Sequence, residues 1–134
     1  MSLATFGKPD VERFTHDFES LFDAGDAAGM AAFYAADARL LAEDTAPVQG
    51  RAAIERFWRA ACDQARAAHA RRSVHLQEVT SSGDLGYALG TVVIQVPAGG
   101  GPGRQITTRY ATIWRRGTDG RWRLAVDISN RQPG

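Results

Sequence analysis

The sequence predicts an α+β fold in which three helices precede an antiparallel sheet. In the first half of the chain, apolar residues recur every three or four positions, as in amphipathic helices. The second half is rich in Val, Ile, Thr, Tyr and Trp, in stretches separated by turn sequences. Because 134 residues are enough for one domain with its own core and too few for two, we expect residues 1–134 to form a single domain.

The first two predicted helices form a hairpin. The stretch Pro9 to Asp23 has apolar residues on one side and acidic residues on the other, and Gly25 is placed to end this helix. Asp26 can cap a second, short helix. The apolar stripe of that second helix is expected to contain Met30, Phe33 and Tyr34.

A short strand and a loop lead to the third helix. Ala38 to Ala42 is predicted as the strand, and Glu43 to Gly50 as a polar loop, because it contains Pro47. The third helix is expected from Arg51 to a point before Arg71. Its apolar stripe consists of Ile54, Phe57, Trp58, Ala61 and Ala65.

Four further strands are predicted to form a meander. The intervening segments are rich in Gly, Ser, Asp and Pro, which suits antiparallel hairpins. The four strands are expected at Ser73 to Thr80, Leu85 to Val96, Arg104 to Arg116 and Arg121 to Asn130.

Bulk composition narrows the class of function. The formal net charge of +1 gives no electrostatic footprint for nucleic acid, and no apolar run is long enough to span a bilayer, so neither partner is expected. Cys62 is the single cysteine, so no internal disulfide can form, and the N-terminus lacks a secretory signal pattern. A cytoplasmic location is therefore predicted. The three histidines are scattered, with no carboxylate at ligand spacing, so no metal site is expected. No cofactor is expected either.

The order of elements and several short sequences resemble the nuclear transport factor 2-like superfamily, in its SnoaL-like and ketosteroid isomerase-like branch. The resemblance extends over about residues 10 to 131. It rests on Ala24-Gly25-Asp26, Tyr34-Ala35-Ala36-Asp37-Ala38, Val48-Gln49-Gly50-Arg51, Tyr110 to Trp114 and Asp119-Gly120-Arg121-Trp122. These motifs are specific for the fold and not for function, because this fold hosts enzymes, binding modules and assembly modules.

The resemblance implies a cone in which a strongly curved sheet wraps around the helices and leaves a pocket. If Thr112 faces that pocket, as the isomerase pattern implies, alternation places Asp127 inside as well. The last strand would then carry an apolar row on its outer face, which a second copy of the chain could cover in a homodimer. That row consists of Trp122, Leu124, Val126 and Ile128. The opposite register would instead bury the row and expose Asp127.

The isomerase chemistry itself does not transfer to this chain. Enzymes of that branch use an aspartate base, a tyrosine and a protonated aspartic acid. The matching positions are Ala42, Phe18 and Thr112, and neither alanine nor phenylalanine can move a proton. The neighbouring Glu43 and Asp44 begin a loop, where solvation is their expected state.

A different polar set is expected in the pocket. Asp127, Tyr110 and His75 are the candidate catalytic residues, because a carboxylate among aromatic walls is desolvated and a nearby His or Tyr could share its proton. The candidate ligand-binding residues are Phe18, Phe57, Tyr87, Tyr110, Thr112, Trp114 and Asp127.

Three interpretations remain open at this point. The chain could be a dimeric binding module that holds a small apolar or aromatic molecule. It could be an enzyme that uses Asp127, with His75 or Tyr110, for proton transfer in isomerisation, dehydration or cyclisation. It could also be an assembly domain whose pocket is only architecture. As the alternative to catalysis, a buried Asp127 could hold a neighbouring strand, an arginine or a tyrosine hydroxyl.

Overall fold

A computed structural model describes residues 6–133. Three helices pack against one curved, six-stranded sheet. The helices are α1 (Lys8–Ala24), α2 (Ala27–Ala31) and α3 (Arg51–Ala68). The strands are β1 (Tyr34–Leu41), β2 (Val48–Gln49), β3 (Arg71–Ser82), β4 (Leu85–Ala98), β5 (Gly101–Arg116) and β6 (Trp122–Arg131). This architecture confirms the predicted fold class.

Local sequence signals set the helix ends. The Asp10 carboxylate accepts a 2.8 Å hydrogen bond from the Gly7 backbone N–H, which closes the start of α1. Gly25 ends this helix in a left-handed conformation, with φ of 72°, where a side chain would be strained. Asp26 caps α2 as predicted, since its Oδ1 accepts from the Gly29 N–H at 2.9 Å.

The sheet order is β2-β1-β6-β5-β4-β3. The strands β3 to β6 form the predicted antiparallel meander, whereas β1 pairs with β6 in parallel. Two local expectations need correction. Tyr34 begins β1 and does not belong to the second helix, which ends at Ala31, and the expected loop before α3 contains the two-residue strand β2.

A β-bulge in β6 changes the expected alternation. Ile113 pairs with Val126 and Trp114 pairs with Leu124, so Ala125 is an extra residue without a partner on β5. Beyond the bulge, Val126 and Ile128 lie on the outer face, away from the helices. Before the bulge the alternation is reversed, so Leu124 faces the helices.

The prediction that Trp122 and Leu124 lie on the outer face is therefore wrong. Leu124 is 1% exposed and belongs to the core. Trp122 stacks on Phe6, with 4.5 Å between ring centroids. The physical reason is the single inserted residue, which reverses the facing of every side chain on one side of it.

The core between helices and sheet is largely aromatic. Phe14 of α1 meets the edge of Trp114, and Phe18 meets the edge of Trp58 from α3. Phe14, Phe18 and Trp58 also form part of the wall of a pocket between the helices and the sheet.

Candidate functional site

The pocket lies between α1, α3 and the concave face of the sheet, with a cavity volume of about 240 Å³. This is slightly below the range of about 300–1,000 Å³ typical of small-molecule sites. The apolar part of its wall consists of Val11, Phe14, Phe18, Leu40, Ala42, Phe57, Trp58, Ala61, Val74, Val92, Ile94 and Leu124. A smaller polar part includes Thr15, Glu19, Tyr34, Arg72, Thr108, Tyr110, Thr112, Asp127 and Ser129.

Asp127 and Tyr34 form the polar centre of this pocket. The Tyr34 hydroxyl donates a 2.6 Å hydrogen bond to Asp127 Oδ2 and accepts one of 3.0 Å from Trp58 Nε1. Among residues 6–133, no group donates a hydrogen bond to Asp127 Oδ1. One carboxylate oxygen is thus held in place, and the other is unused in a side chain that lines the cavity.

Tyr34 is held in place through both its side chain and its backbone. It is fully buried, and the Arg51 guanidinium donates to the Tyr34 carbonyl oxygen from Nε at 3.2 Å and from Nη2 at 2.8 Å. This contact ties the start of α3 to the start of β1. The phenol therefore presents its hydroxyl to Asp127 from a rigid backbone.

Burial dominates the electrostatics of the pair. Desolvation raises the pKa of the Asp127 carboxyl, while the Tyr34 hydrogen bond and the charge of Arg72 lower it. Burial and the adjacent Asp127 carboxylate raise the Tyr34 pKa well above its ordinary value. Tyr34 thus remains a neutral donor, and the carboxyl holds its proton to a higher pH than an exposed aspartate does.

Tyr110 is a second phenol of the pocket wall. Burial, with smaller contributions from Asp127 and Glu19, raises its pKa to about 12. Its ring lies over Gly90, where a methyl group would be 2.6 Å from Tyr110 Cε2 and 2.5 Å from the His75 carbonyl oxygen. The absence of a side chain at position 90 therefore makes room for this phenol.

The structure brings together most of the residues predicted for ligand binding. Phe18, Phe57, Tyr110, Thr112 and Asp127 all line the cavity. Their proposed roles remain predictions. Thr112 is nine-tenths buried or more and accepts a 3.0 Å hydrogen bond from Trp114 Nε1, so its oxygen is already engaged.

Three expected site residues lie elsewhere. Trp114 faces the concave side but is packed in the core and does not line the cavity. His75 and Tyr87 lie on the outer face, because they pair with Thr91 and with Ile113, respectively. The His75 ring contacts Ser73 Oγ at 3.4 Å, and the Tyr87 hydroxyl donates to Glu78. The expectation that either side chain faces the pocket is wrong, because the strand pleat directs them outward.

The positions matched to isomerase residues do lie in the pocket. The pocket wall includes Ala42, Phe18 and Thr112. The aspartate base, the tyrosine and the second acid of the isomerases are therefore absent from the matching positions of this pocket. Glu43 is not in the wall: its Oε2 accepts a 3.1 Å hydrogen bond from the Arg131 backbone N–H. Asp44, its exposed neighbour, does not line the cavity either.

Sequence reasoning missed four polar residues of the pocket. Tyr34 and Trp58 were assigned only to apolar stripes, although each carries a hydrogen-bonding group that needs a partner when buried. Arg72 and Glu19 form a 2.9 Å ion pair between β3 and α1. Arg72 was detectable in principle, since alternation from an inward Val74 also turns residue 72 inward.

Comparison with known families agrees with this architecture. The sequence profile of the SnoaL-like domain matches residues 11–125. The chain belongs to the SnoaL-like domain family. This membership confirms the resemblance stated above. Among curated proteins, none matches the chain significantly.

Solved structures place this SnoaL-like chain within the nuclear transport factor 2-like fold. An NTF2-like protein with a cystatin-like fold from Novosphingobium aromaticivorans has a TM-score of 0.81 at 21% identity, over 92% of this chain and 80% of that one. A ketosteroid isomerase-like protein from Erwinia carotovora has a TM-score of 0.72 at 13% identity, over 92% and 94%. A putative calcium/calmodulin dependent protein kinase II association domain from Xanthomonas campestris has a TM-score of 0.74 at 18% identity, over 99% and 94%. Identities this low show the shared fold and nothing further.

Two further observations on this SnoaL-like domain concern metal ions and membranes. In the part of the chain that the structure describes, no three His, Cys, Asp or Glu side chains gather as a group that could hold a metal ion. Within the same residues, no helix has the length and apolar character needed to cross a bilayer.

Proposed function

We propose that this SnoaL-like domain binds a small, mostly apolar molecule in its pocket and orients it through Asp127. One observation carries the proposal: Tyr34 fixes Asp127 Oδ2 at 2.6 Å, while the other carboxylate oxygen has no donor among the described residues. The surrounding wall is mostly aliphatic and aromatic. A ligand hydroxyl that donates to Asp127 would meet an acceptor that is already oriented.

The direct test measures the affinity of naphthol for the wild-type protein and for Asp127→Asn. The substitution keeps the size of the side chain and removes its charge. We expect about a tenfold weaker affinity, since a hydrogen bond to a charged group is worth about 1.5 kcal/mol or more. Asp17→Asn makes the same chemical change at an exposed position of α1 and is the matched control. Equal affinities in all three proteins would refute the role of Asp127.

Proton transfer is a second candidate function. It is supported by the raised pKa of Asp127, because a carboxyl whose pKa lies closer to neutrality is a better proton acceptor from carbon. Asp127 would remove a proton from a carbon next to a carbonyl and return it later, as in isomerisation, dehydration or cyclisation. Tyr110 lies in the same pocket wall, whereas His75 does not.

Deuterium exchange separates binding from proton transfer. Tetralone in heavy water exchanges the hydrogens beside its carbonyl, and NMR follows their loss. The enzyme hypothesis predicts that wild-type protein accelerates this exchange and that Asp127→Asn, although it still binds tetralone, does not. Exchange at the uncatalysed rate with bound wild-type protein would leave only the binding function.

We also propose that the domain forms a homodimer through its outer sheet face. That face carries Ile113 and Ile128, each 39% exposed, together with Val126 and Leu89. Exposed aliphatic side chains in a contiguous patch favour a protein partner. Two of the similar solved structures are described as putative association domains, which supports assembly.

The single-domain organisation over residues 1–134 and the cytoplasmic location stay predictions from the sequence.

A further inference from the structure

The positively charged side chain of Arg72 lines the pocket where β3 lies next to α1. The Arg72 guanidinium lies 4.8 Å from the centre of the Phe22 ring and 5.6 Å from that of Trp58. Its side chain is 17% exposed. Two aromatic faces and burial thus hold the planar group in a fixed orientation.

The ion pair with Glu19 uses only part of this group. Arg72 Nε donates to Glu19 Oε1 at 2.9 Å. Among residues 6–133, no acceptor is bonded to the two terminal amino groups of the guanidinium. Glu19 Oε2 is buried and also lacks a partner, so the contact is not the bidentate fork that this pair of residues often forms.

These observations describe an oriented donor with spare capacity. A guanidinium carries five N–H groups, and the four on its terminal nitrogens are unused by the described residues. Arg72 lines the cavity, and unlike Glu19 Oε2 its terminal nitrogens are not fully buried, so they are open to an acceptor. Arg72 is also close enough to Asp127 to lower the pKa of that carboxyl through its charge.

We propose that Arg72 binds a neutral acceptor oxygen of the ligand, so that the ligand class is an apolar carbonyl compound. The inference rests on the proposed binding function. Charge decides between a carbonyl and a carboxylate: Glu19 already neutralises Arg72, and Asp127 adds a second carboxylate nearby. An anionic ligand would place a further negative charge beside these two groups, whereas a carbonyl oxygen accepts from Arg72 without that repulsion.

The test compares tetralone with tetralin, which has the same rings and no oxygen. Wild-type protein should bind tetralone about tenfold more tightly, the value of one hydrogen bond from a charged donor. The variant that carries both Glu19→Gln and Arg72→Met should lose this preference. It removes the donors without leaving a buried unpaired charge.

Glu19→Gln alone is the matched control. Its amide oxygen can still accept from Arg72 Nε, so the terminal amino groups keep their place and the preference for tetralone should remain. The ratio of the two affinities within each variant cancels any loss of folded protein. If the double variant does not fold, the nitrogen NMR signals of the Arg72 guanidinium in wild-type protein should shift with tetralone and not with tetralin.

The possible failures are distinguishable. If wild-type protein binds neither compound, the proposed binding function fails and this inference fails with it. If it binds both equally, the pocket binds apolar molecules and the role of Arg72 is refuted. Tighter binding of naphthoate than of tetralone would overturn the choice of a neutral acceptor.

Discussion

The Tyr34 hydroxyl donates a 2.6 Å hydrogen bond to Asp127 across 93 residues of sequence. The bond joins the first residue of β1 to the sixth residue of β6, two strands that pair in parallel. Trp58 of α3 completes the chain of donors through its indole N–H. A single hydrogen-bonded series therefore connects a helix and two strands beneath the pocket.

Removal of the Tyr34 hydroxyl should destabilise the fold and raise the Asp127 pKa further. Tyr34→Phe leaves the buried Trp58 N–H without an acceptor and Asp127 without its donor, which should cost about 1–3 kcal/mol of unfolding free energy. Urea denaturation and a carboxyl NMR titration measure the two effects. Tyr87→Phe removes a hydroxyl on the outer face that bonds the exposed Glu78, and it should cost less than about 0.5 kcal/mol. Equal costs for the two variants would contradict the buried series.

The pH dependence of stability should identify the Asp127 carboxyl. Because its pKa is raised in the fold, its contribution to stability is complete below the ordinary carboxyl pKa of about 3.9 and is lost as the pH rises through the native pKa. Asp127→Asn removes the ionisable group, so the variant does not lose this stability as the pH rises. Its unfolding free energy relative to wild-type should therefore increase between about pH 4 and neutrality.

Asp119→Asn provides the control of opposite sign. The hydrogen bond from Arg123 lowers the Asp119 pKa to about 2, so its contribution is complete above the ordinary pKa and is lost only as the pH falls toward that value. The difference between Asp119→Asn and wild-type should be constant over the window in which Asp127→Asn varies. A constant difference for Asp127→Asn as well would show that its carboxyl is not desolvated.

A methyl group at position 90 should disturb the Tyr110 side of the pocket. Gly90→Ala places a carbon 2.5 Å from the His75 carbonyl oxygen and forces the Tyr110 ring to move. Overpacking of this kind costs about 1–3 kcal/mol, and naphthol affinity should fall as well. Thermal unfolding and the naphthol titration report the two effects. Gly99→Ala adds a methyl in open space and should change neither measurement.

The outer sheet face should determine the oligomeric state. Sedimentation at micromolar concentration should give a dimer for wild-type protein and a monomer for the variant with Ile113→Lys and Ile128→Lys, since two buried ammonium groups would oppose each other across the interface. The control places lysines at Ala60 and Ala67, which are exposed on α3. A wild-type monomer, or an unchanged dimer in the sheet variant, would contradict the proposed interface.

The sequence predicted the order and type of the long elements, because hydrophobic periodicity and turn chemistry are local properties. The resemblance, which takes Thr112 as inward, also placed Asp127 on the pocket side, and this holds because Asp127 pairs with Thr112 and lies beyond the bulge. The facing of Trp122 and Leu124 was not predictable in the same way. The bulge residue Ala125 reverses the inward and outward alternation of β6, and the sequence around this alanine does not predict a bulge.

The polar partners in the pocket depend on contacts between distant segments. Tyr34 was expected on a helix because it follows an apolar helical stripe, and its pairing with Asp127 exists only once β1 lies beside β6. The same holds for Arg72 and Glu19, which are 53 residues apart. Spacing along the chain carries no information about such pairs, because they form only in the folded structure.

The most direct test of the central claim follows the Asp127 carboxyl carbon by NMR during a titration with naphthol. If Asp127 is the ligand contact, its signal should shift in a saturable manner and its pKa should fall, because a donated hydrogen bond stabilises the charged form. The exposed Asp17 carboxyl should not respond. Saturable binding of naphthol with no change at Asp127, or no binding at all, would contradict the account.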